Sequence, residues 1–179
     1  MDWFDVLLSR RSVREFTSEP LTDEELERIF RAAMSAANSG GQQPWRFIVV
    51  DDPDLRDCLC SLDIERGGYY KSPQLIVVCG DIGSMKWKMH WLADCAAALQ
   101  NLLLAAHGLG LGAVWQELYP YHKRVAAVRE MLGIPNTVYP MAVVSIGHPV
   151  NVPEPVDRYD PGKVMVNAWS ETESRSTHS

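Results

Sequence analysis

WLADCAAALQNLLLAAH, residues 91–107, is the stretch whose reading decides the fold. Alanine and leucine dominate it and it holds no proline or glycine, so a long helix is predicted. Only Asp94, Gln100 and Asn101 interrupt its apolar surface. A helix that is apolar on nearly every face must be covered on nearly every face. A domain of 179 residues has little room to enclose one within its own layers. A partner subunit is the simplest cover, and a central helix of a monomer is the alternative.

Outward from that helix, strands and helices mix along the chain. Residues 3–9 predict a short helix that runs into the basic cluster Arg10-Arg11-Ser12-Val13-Arg14. Thr22 and Glu25 have capping-box spacing, and Leu26, Ile29, Phe30 and Ala33 mark the apolar face of the helix that follows. Residues 38–44, NSGGQQP, read as a loop, and 45–50, WRFIVV, as a strand. A helix over about 53–62, a loop containing Gly67-Gly68 and a buried strand at 74–80 come next. After the long helix, Gly108, Gly110 and Gly112 lead into a short strand, AVWQ. A helix at 121–132 ends at Gly133, and 138–147 reads as a strand in which Pro140 marks an edge or a bulge. From Pro149 the chain is rich in proline and aspartate without periodicity, and residues 170–179 read as a disordered tail. Nothing suggests a repeat or a linker. One α+β domain over 1–169 is expected.

The totals narrow the function. Hydrophobic residues make up 46% and the net charge is −6, so a real core is expected and nucleic acid or an anionic membrane is a poor partner. The N-terminus lacks the charged region of a secretory signal, and no stretch approaches the roughly 18 apolar residues of a membrane helix. A soluble, cytoplasmic protein is expected. Cys58, Cys60, Cys79 and Cys95 are scattered, which predicts reduced thiols; Cys58-x-Cys60 lacks the second pair a structural zinc needs.

GLGLG at 108–112 is not a dinucleotide fingerprint, because a helix precedes it and a strand follows, the reverse of the required order. No P-loop, zinc-protease or serine-hydrolase motif occurs. The basic cluster is more informative. In an extended segment, residues 10, 12 and 14 project to one side, so two guanidinium groups and a hydroxyl could cradle a phosphate. A solvated surface explains the cluster equally well. The glycines of NSGGQQPW permit close approach of a flat ligand to the backbone, although a plain polar turn would look the same.

Together, SRRSVREF at 9–16, QPWRFIVV at 43–50, DCAAALQNLLLAAHGLGLGAVW at 94–115 and SIGHPVNVPEPVDRYDPGKV at 145–164 resemble the nitroreductase family of flavoproteins, over roughly residues 3–169. The resemblance implies a mixed sheet flanked by helices in an intertwined homodimer, with FMN in each of two shared clefts and NAD(P)H as transient electron donor. It implies Arg10 and Ser12 on the FMN phosphate and ribityl chain, with Arg11 in the same cluster, and Arg158 reaching the phosphate. Arg14 would lie near N1/O2 of the flavin, Ser39 would come from the other subunit, and Glu117 with the backbone of Leu118 would lie near N5. Metal and nucleic acid have no part in this scheme. A ping-pong reduction of a small, flat acceptor such as a nitroaromatic or quinone is expected; a reductive dehalogenase, a flavin-consuming enzyme and a non-catalytic flavin module are the alternatives. The family often has Pro-Ser-x-x-Asn before Gln-Pro-Trp, whereas this chain has Ala37-Asn38-Ser39-Gly40-Gly41. Tyr69, Tyr70, Trp87 and Trp91, just before and at the start of the long helix, are candidates for stacking on an acceptor or for ordinary packing.

Overall fold

The computed structural model describes residues 2–62, 70–83 and 85–169. Helix α1 spans Trp3–Ser9, α2 Asp23–Met34, α3 Pro53–Ser61, α4 Trp91–Gly108 and α5 His122–Met131. The strands are β1 Trp45–Val50, β2 Gln74–Asp81, β3 Gly112–Glu117 and β4 Val138–Gly147. The predicted loop at Gly67-Gly68, Tyr69 and the 170–179 tail lie outside the described residues.

The four strands form one sheet in the order β1-β2-β4-β3, and every pairing between them is antiparallel. The mixed sheet expected from the family resemblance is therefore corrected for the single chain. Among the described residues, parallel pairing is confined to an isolated bridge between Ser12 and Ala113. Pro140 does not mark an edge either, because β4 lies between β2 and β3. It marks the bulge: Val78 pairs with Ala142 and Cys79 with Pro140, which leaves Met141 as the extra residue. A residue without an N–H is tolerated in a central strand where the ladder is already interrupted.

Both faces of the sheet are covered. Ile76, Val78, Ala142, Val144 and Ile146 join α2 and α4 in one apolar cluster. Leu75, Val77, Cys79 and Val143 join Leu59 of α3 and Val125 and Val128 of α5 in another. Side chains alternate between the two faces with the strand period, which is why β2 and β4 read as unbroken apolar runs. The capping box at Thr22 is present, its side chain accepting from Glu25 N–H while the Glu25 carboxylate accepts from Thr22 N–H at 2.8 Å. Ile29 and Ala33 of α2 are fully buried against α4.

Helix α4 is less enclosed in one chain than its composition predicts. Cys95, Ala98, Leu99, Leu102, Leu103 and Ala106 are buried, but Leu92, Ala93, Ala96 and Gln100 form an exposed stripe. Exposed apolar groups also line α1, where Trp3 is 70% and Leu8 63% accessible, and the C-terminal segment, where Trp169 is 82% accessible. No helix among the described residues is long and apolar enough to cross a membrane.

Candidate functional site

Arg10 follows α1 directly and its backbone N–H closes the helix on the Val6 carbonyl at 3.3 Å. The chain then runs extended beside β3, where Val13 N–H donates to the Ala113 carbonyl at 3.2 Å. Gly112 makes this approach possible, since a Cβ there would fall 2.6 Å from Val13. A second tie comes from the C-terminal segment: Thr17 N–H donates to His148 O and Val150 N–H to Glu15 O. Arg11 Nε donates to the Glu154 carbonyl at 3.0 Å, so it tethers that segment as well as carrying charge.

These ties bring Arg158 back to the basic cluster. Arg10, Arg11 and Arg158 line one cavity of about 840 Å³, together with Asp5, Asp157 and Gln100. Partial burial, then the charges of Arg158 and Arg11, lower the Arg10 pKa below its ordinary value. Guanidinium groups gathered this closely repel one another unless an anion lies between them. His107, in the last turn of α4, shares this environment. Burial and then Arg10 hold its imidazole below the usual histidine range. Its Nε2 lies 2.7 Å from Ser9 Oγ, whose proton goes to the Asp5 carbonyl at 2.6 Å, so Nε2–H donates to Ser9.

The remaining predicted residues sit apart from that cavity. Arg14 is exposed and its Nε donates to the Tyr70 hydroxyl at 3.0 Å. Tyr70 N–H in turn lies 3.3 Å from Gln116 Oε1, which ties Arg14 to β3. Glu117 ends β3, and its carbonyl accepts from Arg124 at 3.2 Å. Leu118 is fully buried in the second core cluster, and its N–H donates to the Met141 carbonyl at 2.9 Å. The Leu118 N–H expected near N5 is thus engaged within the chain, at the bulge.

Ser39 starts a tight turn held by side chains. Its N–H and its hydroxyl both donate to Asp94 Oδ1, at 2.9 and 3.1 Å. Asp94 is only 4% exposed, and its Oδ2 has no hydrogen-bond partner. The Ser39 hydroxyl proton is thereby engaged by Asp94, and its oxygen remains an acceptor. Ser39 is held at the N-terminal end of α4, whereas Arg10 lies beside its C-terminal end. Asp94 and His107 are separated by about 20 Å at the helical rise of ~1.5 Å per residue. One chain therefore presents its two candidate ligand-binding segments at opposite ends of a helix.

The contacts of His107 and Asp94 carry no local signal in the sequence, and Tyr70 reads there only as a candidate for stacking or packing. Asp94 reads there as an interruption of an apolar helix, and His107 as an ordinary helix-ending residue. Their partners are far away in the chain, and only folding reveals them. Among the described residues, no group of His, Cys, Asp and Glu is arranged to hold a metal ion.

The nitroreductase family model matches residues 7–66 and 63–148. A protein of Archaeoglobus fulgidus, provisionally named an NADH dehydrogenase/NAD(P)H nitroreductase, is 37% identical over 92% of this chain and 97% of its own length. The crystal structure of a similarly named protein of Parabacteroides distasonis superimposes with a TM-score of 0.86 at 36% identity, covering 94% of this chain and 99% of that one. An FMN-dependent nitroreductase of Clostridium difficile gives a TM-score of 0.84 at 28% identity, covering 93% and 99%.

Proposed function

The chain belongs to the nitroreductase family, and from that premise we propose that it is an FMN-dependent oxidoreductase, taking hydride from NAD(P)H and reducing a small, flat organic acceptor. The observation that carries the cofactor assignment is the cavity shared by Arg10, Arg11 and Arg158. Partial burial, and after it the charges of Arg158 and Arg11, lower the Arg10 pKa, so three guanidinium groups meet at one cavity where an anion would relieve their repulsion. A phosphate fits that donor set. FMN, when bound, supplies the hydride chemistry, and the protein supplies binding, orientation and electrostatics.

Arg10 and Arg158 hold the phosphate in this scheme, Arg11 keeps Arg158 in place through Glu154, and Ser12 faces the ribityl chain. Arg14, braced by Tyr70, balances negative charge on the N1/O2 side of the ring. Glu117 at the end of β3 and the backbone of Leu118 take the ring-side position near N5 in this scheme. The Ser39 loop reaches the same flavin from a second chain. Its separation from Arg10 along α4 supports two shared sites in a homodimer. So do the exposed apolar groups of α1, α4 and residues 150–169, which are more than a monomer usually leaves in water. A ping-pong order follows if donor and acceptor use the same flavin face in turn.

Purified protein tests this directly. The expected result is a flavin band near ~450 nm, a property of the cofactor itself. The band should bleach anaerobically with NAD(P)H and return when a quinone or nitroaromatic is added. A colourless chain that takes up no FMN refutes the assignment. A bound flavin that neither NADH nor NADPH reduces makes the chain a flavin-binding module.

A further inference from the structure

Ser145 interrupts the apolar run of β4, the strand between β2 and β3, and is only 1% exposed. A buried hydroxyl needs a partner. This one donates to the Tyr70 carbonyl at 2.7 Å, while Tyr70 N–H donates to Gln116 Oε1 of β3 at 3.3 Å. Two strands thus pin the Tyr70 backbone at both of its polar groups. From that anchor the phenol oxygen accepts from Arg14 Nε at 3.0 Å, and the guanidinium carbon stands 5.4 Å from the ring centroid. Arg14 Nη1 also donates to the Ser12 carbonyl, at 3.4 Å. An exposed arginine on its own keeps much of its rotamer freedom, and these contacts remove it. Both acceptors, a phenol and a carbonyl, are neutral, and among the described residues Arg14 forms no ion pair. Tyr70 therefore fixes the guanidinium without offsetting its charge, as a carboxylate in the same place would.

We propose that Tyr70 and Ser145 are positioning residues for electron transfer: Ser145 holds Tyr70, and Tyr70 holds Arg14 so that its uncompensated charge favours reduced over oxidised flavin. This rests on the proposed function, which puts Arg14 on the N1/O2 side of the ring. Reduction adds negative charge on that side. A cation already fixed there stabilises the reduced form more than the oxidised form, and so raises the midpoint potential. A guanidinium free to swing would forfeit part of that effect, because it would first have to give up its side-chain freedom and its hydration. Neither Tyr70 nor Ser145 has to touch the cofactor, since both act through Arg14. The device links a hydroxyl buried in the centre of the sheet to a charge at the protein surface.

Spectroelectrochemical titration of the FMN-loaded protein reads the potential without turnover. Tyr70→Phe keeps the ring and removes the acceptor. It should cut the preference for reduced over oxidised flavin roughly threefold, which lowers a two-electron potential by about 14 mV at ~30 mV per tenfold. The affinity for oxidised FMN should change by less than about twofold. Arg14→Leu should cut the preference roughly tenfold, and Tyr70→Phe placed in that background should then change nothing further. Ser145→Ala should lower the potential in the same direction as Tyr70→Phe and add little on top of it. In the flavin-free protein, the Arg14 Nε–H resonance should exchange faster with water in both single variants than in the unaltered chain. A yellow Tyr70→Phe protein with an unaltered potential overturns the proposal. So does a fall of the same size in the Arg14→Leu background, since the phenol would then act without Arg14. A chain that takes up no flavin is recognised before any titration; that outcome removes the proposed function and this inference with it.

Discussion

Replacing Arg158 by alanine separates the phosphate cradle from a merely basic surface. Arg158 projects from a segment that has no strand or helix beyond a single turn at Pro161–Lys163, so its removal leaves the packed core intact. In the ligand-free protein its charge adds to the repulsion on Arg10. Arg158→Ala should therefore leave the melting temperature in phosphate-free buffer unchanged or slightly higher. FMN binding should move the opposite way. A hydrogen bond to a charged group contributes about 1.5–3 kcal/mol, or roughly tenfold to a hundredfold in affinity. Arg158 is exposed, which puts it at the lower end; Arg10 is partly buried, so Arg10→Ala should lose more. Titration of the apoprotein with FMN and with riboflavin, which lacks the phosphate, isolates the contact. The preference for FMN should shrink about tenfold in Arg158→Ala, and riboflavin affinity should hold. Burial and the neighbouring guanidinium charges lower the Arg10 pKa, yet a guanidinium stays charged at neutral pH, so the effect should not vary between pH 6 and 8. An Arg158→Ala apoprotein that keeps the full preference for FMN would refute the cradle.

Three further outcomes follow from the same geometry. Asp94→Ala strips the Ser39 turn of the acceptor for two donors and should cost about 1–3 kcal/mol in urea unfolding, whereas Asp94→Asn, which keeps an acceptor oxygen, should recover part of it; equal stability of Asp94→Ala and the unaltered chain would show the turn is held otherwise. His107 has a folded-state pKa below its ordinary 6.5, so the unfolded chain binds its proton more readily, and stability should fall as the pH drops below about 6.5. His107→Gln should flatten that slope, and an identical slope in the variant would remove His107 from the cause. Burial pushes the thiols of Cys79 and Cys95 up to about 12, so a disulfide reagent should label the exposed Cys58 in the native protein but reach Cys79 and Cys95 only on unfolding; rapid native labelling of all four would contradict the packing.

Periodicity alone located most elements of the fold. The capping box at Thr22, the unbroken apolar runs of β2 and β4 and the alanine-leucine helix α4 are local patterns, and local patterns are what a sequence displays. The sequence also showed that Arg10, Ser12 and Arg14 stand at alternate positions, and the family motifs supplied Arg158 as their companion. Strand order lay beyond it, because Pro140 signals an interrupted ladder equally well at an edge or at a central bulge; only pairing with Cys79 decides between them. Hydrogen-bond occupancy was equally hidden. Whether Leu118 N–H or the Ser39 hydroxyl is free depends on Met141 and Asp94, which approach only in the folded chain. The sequence by itself determined which residues carry charge, which prefer helix or strand, and which faces must be buried, since these are properties of side chains and their spacing. Only the tertiary structure decided that Arg10, Arg11 and Arg158 line one cavity, that Trp87 lies on Gly40 and that the Ser39 turn and the arginine cluster occupy opposite ends of α4. Those are contacts between segments distant in the chain, fixed by the sum of packing across the whole domain and by no one stretch of it.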